Sequence, residues 1–304
     1  MASDVELAAM RQAIALSSFG LGTASPNPPV GCVILDRHGV AVGAGYHRRK
    51  GEAHAEVNAL KAAGAAARGG TAVVTLEPCN HTGVTPACRQ ELINAGITRV
   101  VISVIDPTSR GDGGAAVLAA HGIDVETNVL PNETLTVLGP WLTATRRRRP
   151  HLTWAYALNN KDSGHINDQL AADLRSRADL MLSGKALEEG TPGGHAPEHF
   201  TLPGDPSGDL HQWISTCYAA GSRVILAIGA DSNGLHDNLD CVDEIVVAVG
   251  KAPPTSGLAA ATVDLTPAGF ELADISPSST GMRIRLRRPE PLDAQAGIPQ
   301  IGIR

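Results

Sequence analysis

Two short segments carry the reactive side chains of this sequence: His54-Ala-Glu56, then Pro78-Cys79 with Cys88 beyond it. An imidazole and two thiols are zinc ligands. Three protein ligands leave the fourth tetrahedral position open, as a catalytic zinc requires and a closed structural zinc does not. Zinc lowers the pKa of a bound water to about 7 and so supplies a nucleophile at neutral pH. Glu56, a carboxylate beside the metal and not bound to it, supplies the proton carrier. These two functions together suit hydrolysis of an amidine-like carbon. That reaction needs a nucleophile, a proton for a ring nitrogen and a second proton for the leaving amine.

The order His-x-Glu then Pro-Cys-x-x-Cys is the signature of zinc deaminases. This chain keeps the first part and lengthens the second, with residues 80–87 between its two cysteines. His81 lies inside that segment and is an alternative fourth ligand, which would make the site a structural one.

The elements that must position these residues follow from the local patterns. Residues 4–19 have helical periodicity. Val30–Leu35 and Val40–Tyr46 read as strands joined by the turn Asp36-Arg37-His38-Gly39. Residues 53–63 are Ala-rich and helical, closed by Gly64, so His54 and Glu56 open a helix. Residues 72–76 read as a buried strand that delivers Cys79 to a strand-helix junction. Pro86 opens and Gly96 closes the next helix, which carries Cys88. A strand at 99–105, a helix at 113–121 and a strand at 123–127 complete an α/β layered pattern. Arg146–Pro150 reads as a junction, its arginines a solvated helix end or linker. Beyond it, strands are expected at 151–158, 179–183, 223–228, 244–249 and 282–286, with helices at 170–178 and 209–220. Residues 189–208, rich in Gly, Pro and His, read as a loop.

Composition narrows the function classes. A formal net charge of −6 gives no general attraction to nucleic acid or anionic lipid. Aromatic residues make up 3% of the chain, too few for base-stacking platforms. No apolar stretch is long enough to span a membrane and the start lacks a signal-peptide pattern, so a cytoplasmic location is expected. Five cysteines, two of them beside His-x-Glu, suit a reducing compartment and a metal site better than a disulfide framework.

A wider set of residues narrows the chemistry. Ser25-Pro-Asn-Pro-Pro-Val-Gly31, His47, His54-Ala-Glu-Val57, Thr75-Leu-Glu-Pro-Cys-Asn-His81, Thr85-Pro-Ala-Cys88 and Asp106-Pro107 together resemble the deaminase half of the bifunctional riboflavin-biosynthesis deaminase/reductase family. The resemblance covers about residues 3–145. It implies a cytidine-deaminase-like three-layer α/β/α domain over residues 1–146. It implies that Zn2+ is held by His54, Cys79 and Cys88, and that Glu56 is the proton shuttle. Asn27, His47, His81 and Asp106 would contact the substrate, 2,5-diamino-6-(5-phosphoribosylamino)pyrimidin-4-one, whose 2-amino group is hydrolysed. Each of these four also has a plainer reading: Asn27 and Asp106 as turn residues, His47 as a surface residue, His81 as part of the metal loop.

The chain departs from the family at Val84, where Lys or Arg is usual, and at Thr108, where Asn is usual. Both family residues are associated with the ribosyl-phosphate end. Arg48, Arg49, Lys50 or Arg110 would have to compensate, or the substrate is a dephosphorylated or otherwise altered amino-heterocycle. A weaker resemblance continues through residues 150–288, as a truncated dihydrofolate-reductase-like α/β domain, with 289–304 a candidate disordered tail. That half of the family uses NADPH. Here Ala155 stands for its Lys, and Ile228-Gly-Ala-Asp231 for its Glu-Gly-Gly-Pro turn, so reductase activity is expected to be lost. The expected whole is a zinc deaminase acting on a small aminopyrimidine, a homo-oligomer (dimer or tetramer), with no nucleic-acid or membrane partner. A non-catalytic zinc scaffold is the alternative of another class, and ammonia release decides between them.

Overall fold

The computed structural model describes residues 1–80, 87–109, 111–158, 166–184, 186–206, 208–229, 234–250, 267–278 and 281–289. They form two compact units, one of residues Met1–Thr143 with Gly193–Thr201, the other of Ala144–Pro192 with Leu202–Arg304. The expected tail at 289–304 lies almost wholly outside the described residues.

The first unit holds a five-stranded sheet. Its strands are β1 (Gly31–Leu35), β2 (Ala41–Tyr46), β3 (Thr71–Leu76), β4 (Arg99–Val104) and β5 (Asp124–Glu126), in the order β2-β1-β3-β4-β5. β1 runs antiparallel to β2 and β3, while β3, β4 and β5 are mutually parallel. β1, β3 and β4 are buried nearly end to end, which is why their sequences read as continuous apolar runs. The helices are α1 (Asp4–Ser17), α2 (Ala55–Ala63), α3 (Cys88–Asn94), α4 (Gly113–Ala120) and α5 (Pro131–Arg147). Ala9, Met10 and Ala13 of α1 pack with Val33, Leu35, Val73 and Val101 on one face of the sheet. α5 joins that face through Ser103 and Thr134, whose hydroxyls lie 2.6 Å apart and buried. The alternating residues Cys32, Ile34, Val74, Val100 and Ile102 point the other way, toward Ala55 and Ala59 of α2, Leu92 of α3 and Leu118 of α4. The result is the expected three-layer α/β/α arrangement.

α1 starts with a capping box. Ser3 accepts from the Glu6 backbone N–H and the Glu6 carboxylate accepts from the Ser3 N–H. Arg99 ties this start to the far strands, donating to Glu6 at 2.6 Å and pairing with Asp124 and Glu126 at 2.5 Å each. α2 lies close on β2 because β2 has no side chain there. A Cβ at Gly45 would sit 2.6 Å from the Ala59 N and 2.7 Å from the Ala55 O.

Strand direction decides where the site forms. Gly31 pairs with Tyr46, and Cys32 with Val74. The start of β1 therefore lies at the same edge of the sheet as the ends of β2, β3 and β4. Asn27, His47, Cys79 and Asp106 all follow from that edge, the one where α/β sheets place ligands.

The second unit carries β6 (His151–Leu158), β7 (Leu180–Ser183), β8 (Ala186–Glu189), β9 (Val224–Ile228), β10 (Glu244–Gly250), β11 (Glu271–Ser278) and β12 (Gly281–Arg287), in the order β11-β12-β10-β6-β9-β7-β8. α6 (Asp168–Arg175) and α7 (Leu210–Ala219) accompany the sheet. The central strands β10, β6, β9 and β7 are parallel. Leu170 of α6 packs with Ala155, Leu226 and Val246. Asp243 is buried and is paired by Arg147 and Arg149, and it also accepts from the Leu152 N–H at 3.0 Å. A buried carboxylate needs such partners.

The expected elements sit within a few residues of those observed. The differences have physical causes. α5 contains Gly139 and Pro140, which read as breakers, and its Pro131 is a tolerated first residue. β8 and β11 lie at the two edges of their sheet, where an apolar pattern is not required, and β11 even contains Pro277. The two units divide inside α5, after Thr143. Residues 193–201 belong with the first unit and not with the sequence around them. No helix among the described residues is long and apolar enough to cross a membrane.

The tight contact of β2 with α2 sets one expectation. Gly45→Ala should cost the first unit about 1–3 kcal/mol or more through overpacking. Urea unfolding followed by circular dichroism reads this as a lowered midpoint. An unchanged midpoint would mean that α2 has room to move away from β2.

Candidate active site

His54 is the N-cap residue of α2, with extended backbone (φ −70°, ψ 167°) and no side-chain capping bond. Its ring is thus committed elsewhere: Nδ1 lies 3.2 Å from the Cys88 Sγ. Cys88 is the first residue of α3, and its backbone N–H donates to the Cys79 Sγ at 3.2 Å. One ligand atom from each of His54, Cys79 and Cys88 can be chosen so that all lie within 4.8 Å of one another. A tetrahedral zinc with ordinary bond lengths holds its N and S ligands about 3.5 Å apart. The 3.2 Å between Nδ1 and Sγ is close to that spacing, so the three groups fit the ion.

The protonation of these groups fits a cation too. The Cys88 thiol donates to Cys79, which holds the Cys79 thiol far below its usual range and pushes Cys88 far above it. The hydrogen bond from His54 to Cys79 raises the imidazole pKa. Without metal the trio thus holds a thiolate beside protons on its neighbours. A thiolate at such a place is the ligand form.

Glu56 sits in the first turn of α2 and is 4% exposed. Burial pushes its pKa up to about 7; the His54 charge works against this and the Cys79 thiolate with it. It also hydrogen-bonds to Cys88. It is not among the three groups that converge as ligands. A buried carboxyl that changes protonation near neutrality is suited to carrying protons.

Next to the trio, four groups form a chain. The Lys50 Nζ donates to the Asn27 Oδ1 at 3.1 Å, and the Asn27 Nδ2 lies 3.1 Å from the His47 Nε2. The His47 Nδ1 lies 3.2 Å from the Ala53 carbonyl. A carbonyl only accepts, so Nδ1 carries the proton and Nε2 accepts from Asn27. His47 is 2% exposed and its ring meets that of His54 edge to face, 5.0 Å between centroids. Burial, with the His54 charge, pushes its pKa down to about 4, which keeps it neutral. His47 is therefore no surface residue. Asn27 does sit in a turn, its N–H donating to the Ala24 carbonyl, and its side chain is nevertheless turned to His47 and Lys50.

Asp106 is partly accounted for by its own turn. One carboxylate oxygen accepts from the Thr108 N–H at 2.8 Å and from the Thr108 hydroxyl at 2.7 Å. His81 and Val84 lie outside the described residues. Glu77, which sequence reasoning passed over, organises this side of the site. It is buried and accepts from the Asp106 N–H (3.2 Å), the Ser109 hydroxyl (2.9 Å) and the Ala115 N–H (2.9 Å). It thereby ties the loop after β4 and the first turn of α4 to the residue two before Cys79. The signal was a charged residue set between an apolar strand and Pro78.

Comparison with known proteins agrees with this geometry. Residues 3–104 match the family "Cytidine and deoxycytidylate deaminase zinc-binding region". A protein of Buchnera aphidicola named diaminohydroxyphosphoribosylamino-pyrimidine deaminase is 53% identical over 126 residues, 41% of this chain and 85% of its own length. The riboflavin biosynthesis protein RibD of Corynebacterium ammoniagenes is 46% identical over 263 residues, 73% of this chain and 78% of its own. A crystal structure of the deaminase/reductase of Thermotoga maritima superposes with a TM-score of 0.76, covering 94% of this chain and 99% of that one at 23% identity. The last shows a shared fold across both units.

The raised pKa of Glu56 has a stability consequence. Between its ordinary value of 4.5 and about 7, the folded metal-free protein holds a proton that the unfolded chain has released. Stability is therefore lost as pH rises through that window. Glu56→Gln removes the penalty. The chelator-treated variant should exceed the wild type by roughly 1–3 kcal/mol near pH 8 and by little near pH 5. Urea unfolding at the two pH values measures this. Equal stability at both would mean that Glu56 is not desolvated.

Proposed function

This chain belongs to the RibD family of riboflavin-biosynthesis proteins, and we propose from that premise that it deaminates 2,5-diamino-6-(5-phosphoribosylamino)pyrimidin-4-one. It is a hydrolytic deaminase with a zinc-binding region. The observation that carries our assignment of roles is the convergence of His54, Cys79 and Cys88 with a buried Glu56 left outside the ligand set.

His54, Cys79 and Cys88 hold the zinc. The ion, when bound, would supply a nucleophilic hydroxide at neutral pH. Glu56 takes the proton released from water and delivers it to the ring nitrogen beside the amino-bearing carbon. It then takes the proton of the newly added hydroxyl and passes it to the amine, ammonia leaves, and an oxo group remains in its place. Burial supports this role, because it brings the Glu56 pKa close to the working pH. Asn27 and neutral His47 orient the ring, His47 through Asn27 and Ala53. Asp106, held by Glu77, lines the opposite side.

The phosphate arm needs a cation that Val84 and Thr108 do not supply. We assign it to Lys50, whose ammonium already reaches Asn27 in the ring-binding chain. His81 and Asp106 stay in the set of substrate contacts on family grounds. The second unit, in this reading, no longer reduces. Ala155 supports that: it replaces the family's Lys, and it is buried in the core with Leu226 and Val246. Asp231 lies outside the described residues. The reading extends to a cytoplasmic homo-oligomer, dimer or tetramer, that acts on a small molecule. The net charge of −6 supports the absence of a nucleic-acid substrate.

Ammonia release from paired phosphorylated and dephosphorylated diaminopyrimidines tests the substrate. The phosphorylated compound should be preferred, and Lys50→Ala should raise its KM more than that of the dephosphorylated one. Preference for the dephosphorylated partner would place the enzyme on an altered heterocycle. Glu56→Gln should retain zinc and lose turnover by about two orders of magnitude or more. Zinc binding without ammonia from any heterocycle would leave a scaffold. For the second unit, NADPH consumption with the deaminated ribosylaminopyrimidine should stay at background. Saturable oxidation would overturn the loss of reductase activity.

A further inference from the structure

Two groups of side chains among the described residues converge as metal ligands do, and only the first is explained by deamination. The second is His211, Asp240 and Cys241, in the second unit. His211 lies in the first turn of α7, one residue past Leu210, whose N-cap is Asp209. Asp240 and Cys241 belong to the 3-10 turn Leu239–Cys241, just before β10. We propose that these three side chains form a second zinc site, independent of the deaminase centre, that ties the start of α7 to the turn before β10.

The distances carry the proposal. The Cys241 Sγ lies 3.4 Å from the His211 Nδ1 and 3.6 Å from its Nε2. The His211 Nε2 lies 3.4 Å from the Asp240 Oδ2. With ordinary zinc bond lengths, a tetrahedral ion spaces N and S ligands about 3.5 Å apart and N and O ligands about 3.3 Å apart. Through Nε2 the edges to sulfur and oxygen, 3.6 and 3.4 Å, agree with those spacings, and the exposed ring has only to turn to aim Nε2 at the ion, since the sulfur now lies nearly equidistant from both ring nitrogens. They also resemble the 3.2 Å between His54 Nδ1 and Cys88 Sγ in the deaminase centre.

Donor chemistry points to the same class of ion. Imidazole, thiolate and carboxylate are each zinc ligands, and a sulfur donor disfavours magnesium and calcium. Three protein ligands leave one position for water. Access is open on one side, where the His211 and Asp240 side chains are 58% and 69% exposed. Cys241 closes the other side, 2% exposed. Two cations adjoin the turn: Arg149 is engaged by Asp243 and the Cys241 carbonyl, and Arg288 donates to the Leu239 and Val242 carbonyls. Asp209 adds a second negative charge close enough to act on Cys241.

Without metal, the same atoms amount to an exposed imidazole-carboxylate pair and a weak thiol contact. An exposed pair of that kind contributes about 0–1 kcal/mol and does not by itself hold two mobile side chains on one buried thiol.

Metal counting on the full chain tests the site. The protein is stripped with a chelator, reloaded with Zn2+, desalted and measured by atomic spectrometry. About two zinc ions per chain are expected for the wild type, and about one for His211→Ala and for Asp240→Asn. Both positions are exposed, so both variants should fold, and both should keep wild-type ammonia release. Cys79→Ser should also drop to about one zinc, with ammonia release abolished. That separates failure at one centre from failure at the other. Co2+ loading gives a second readout, since Cys241→Ser should remove about a third of the thiolate-to-metal absorption while Cys79→Ser, which empties the centre that also holds Cys88, removes about two thirds. One zinc per chain in the wild type overturns the proposal. So does a second equivalent that survives both His211→Ala and Asp240→Asn, which would mark adventitious binding.

Discussion

Three acidic groups, Glu56, Cys79 and Cys88, are packed against one imidazole where water is largely excluded. Buried charge of one sign is costly unless a counter-charge is supplied. Without metal, Glu56 and Cys88 are both pushed toward their protonated forms, and the Cys88 proton serves both sulfurs by holding Cys79 as a thiolate. A divalent cation resolves the conflict by replacing the Cys88 proton. The same crowding, in the absence of the ion, raises the Glu56 pKa to about 7. The metal site and the proton carrier are thus two results of one electrostatic constraint.

That constraint is met only if the groups cannot move apart, and the fold supplies the rigidity by close backbone approach. Gly43 and Gly45 let α2 lie directly on β2, with Cβ positions that backbone atoms of Ala59 and Ala63 already crowd. His54 and Glu56 ride on the start of that helix. On the other side, Gly114 meets the Pro78 carbonyl so closely that a Cβ would lie 1.9 Å from it, and Glu77 fixes the adjoining loop. The two cysteines come from the end of β3 and the start of α3, with the Cys88 N–H aimed at the Cys79 sulfur. A helix N-terminus stabilises a thiolate in that place.

The grouping of His54, Cys79 and Cys88 was legible in the sequence because its geometry is mostly local. His54 and Glu56 share one helix turn, and each cysteine marks a strand-helix junction. Alternating and continuous apolar runs likewise revealed the central strands. What stayed hidden depends on partners distant in sequence. Glu77 reads as an ordinary acidic residue until Asp106, Ser109 and Ala115 fold back onto it. Lys50 reads as part of a surface basic run until Asn27 accepts from it. The edge strands β8 and β11 bury too little to leave a pattern. Residues 193–201 are more distant still. Nothing in a Gly- and Pro-rich stretch shows that it belongs with the first unit, where His199 lies beside Gly51 and Arg49 donates to the Gly193 carbonyl.

This last feature bears on why a chain proposed to have lost its redox chemistry would keep a second unit. A segment that leaves the second unit's sequence to pack in the first makes the two halves covalently and structurally interdependent. The segment is itself built to stay: His195 is buried and stacks on Phe200 with ring centroids 3.8 Å apart. Removing the second half would also remove the residues that brace the Arg49–Gly51 turn, and that turn holds Lys50 against Asn27. Apolar strands and paired charges such as Asp243 with Arg147 and Arg149 hold the second unit together without any part in cofactor binding. Cofactor-binding positions are under no such demand. A buried Ala155 in place of a lysine is the kind of change that this division of constraint permits.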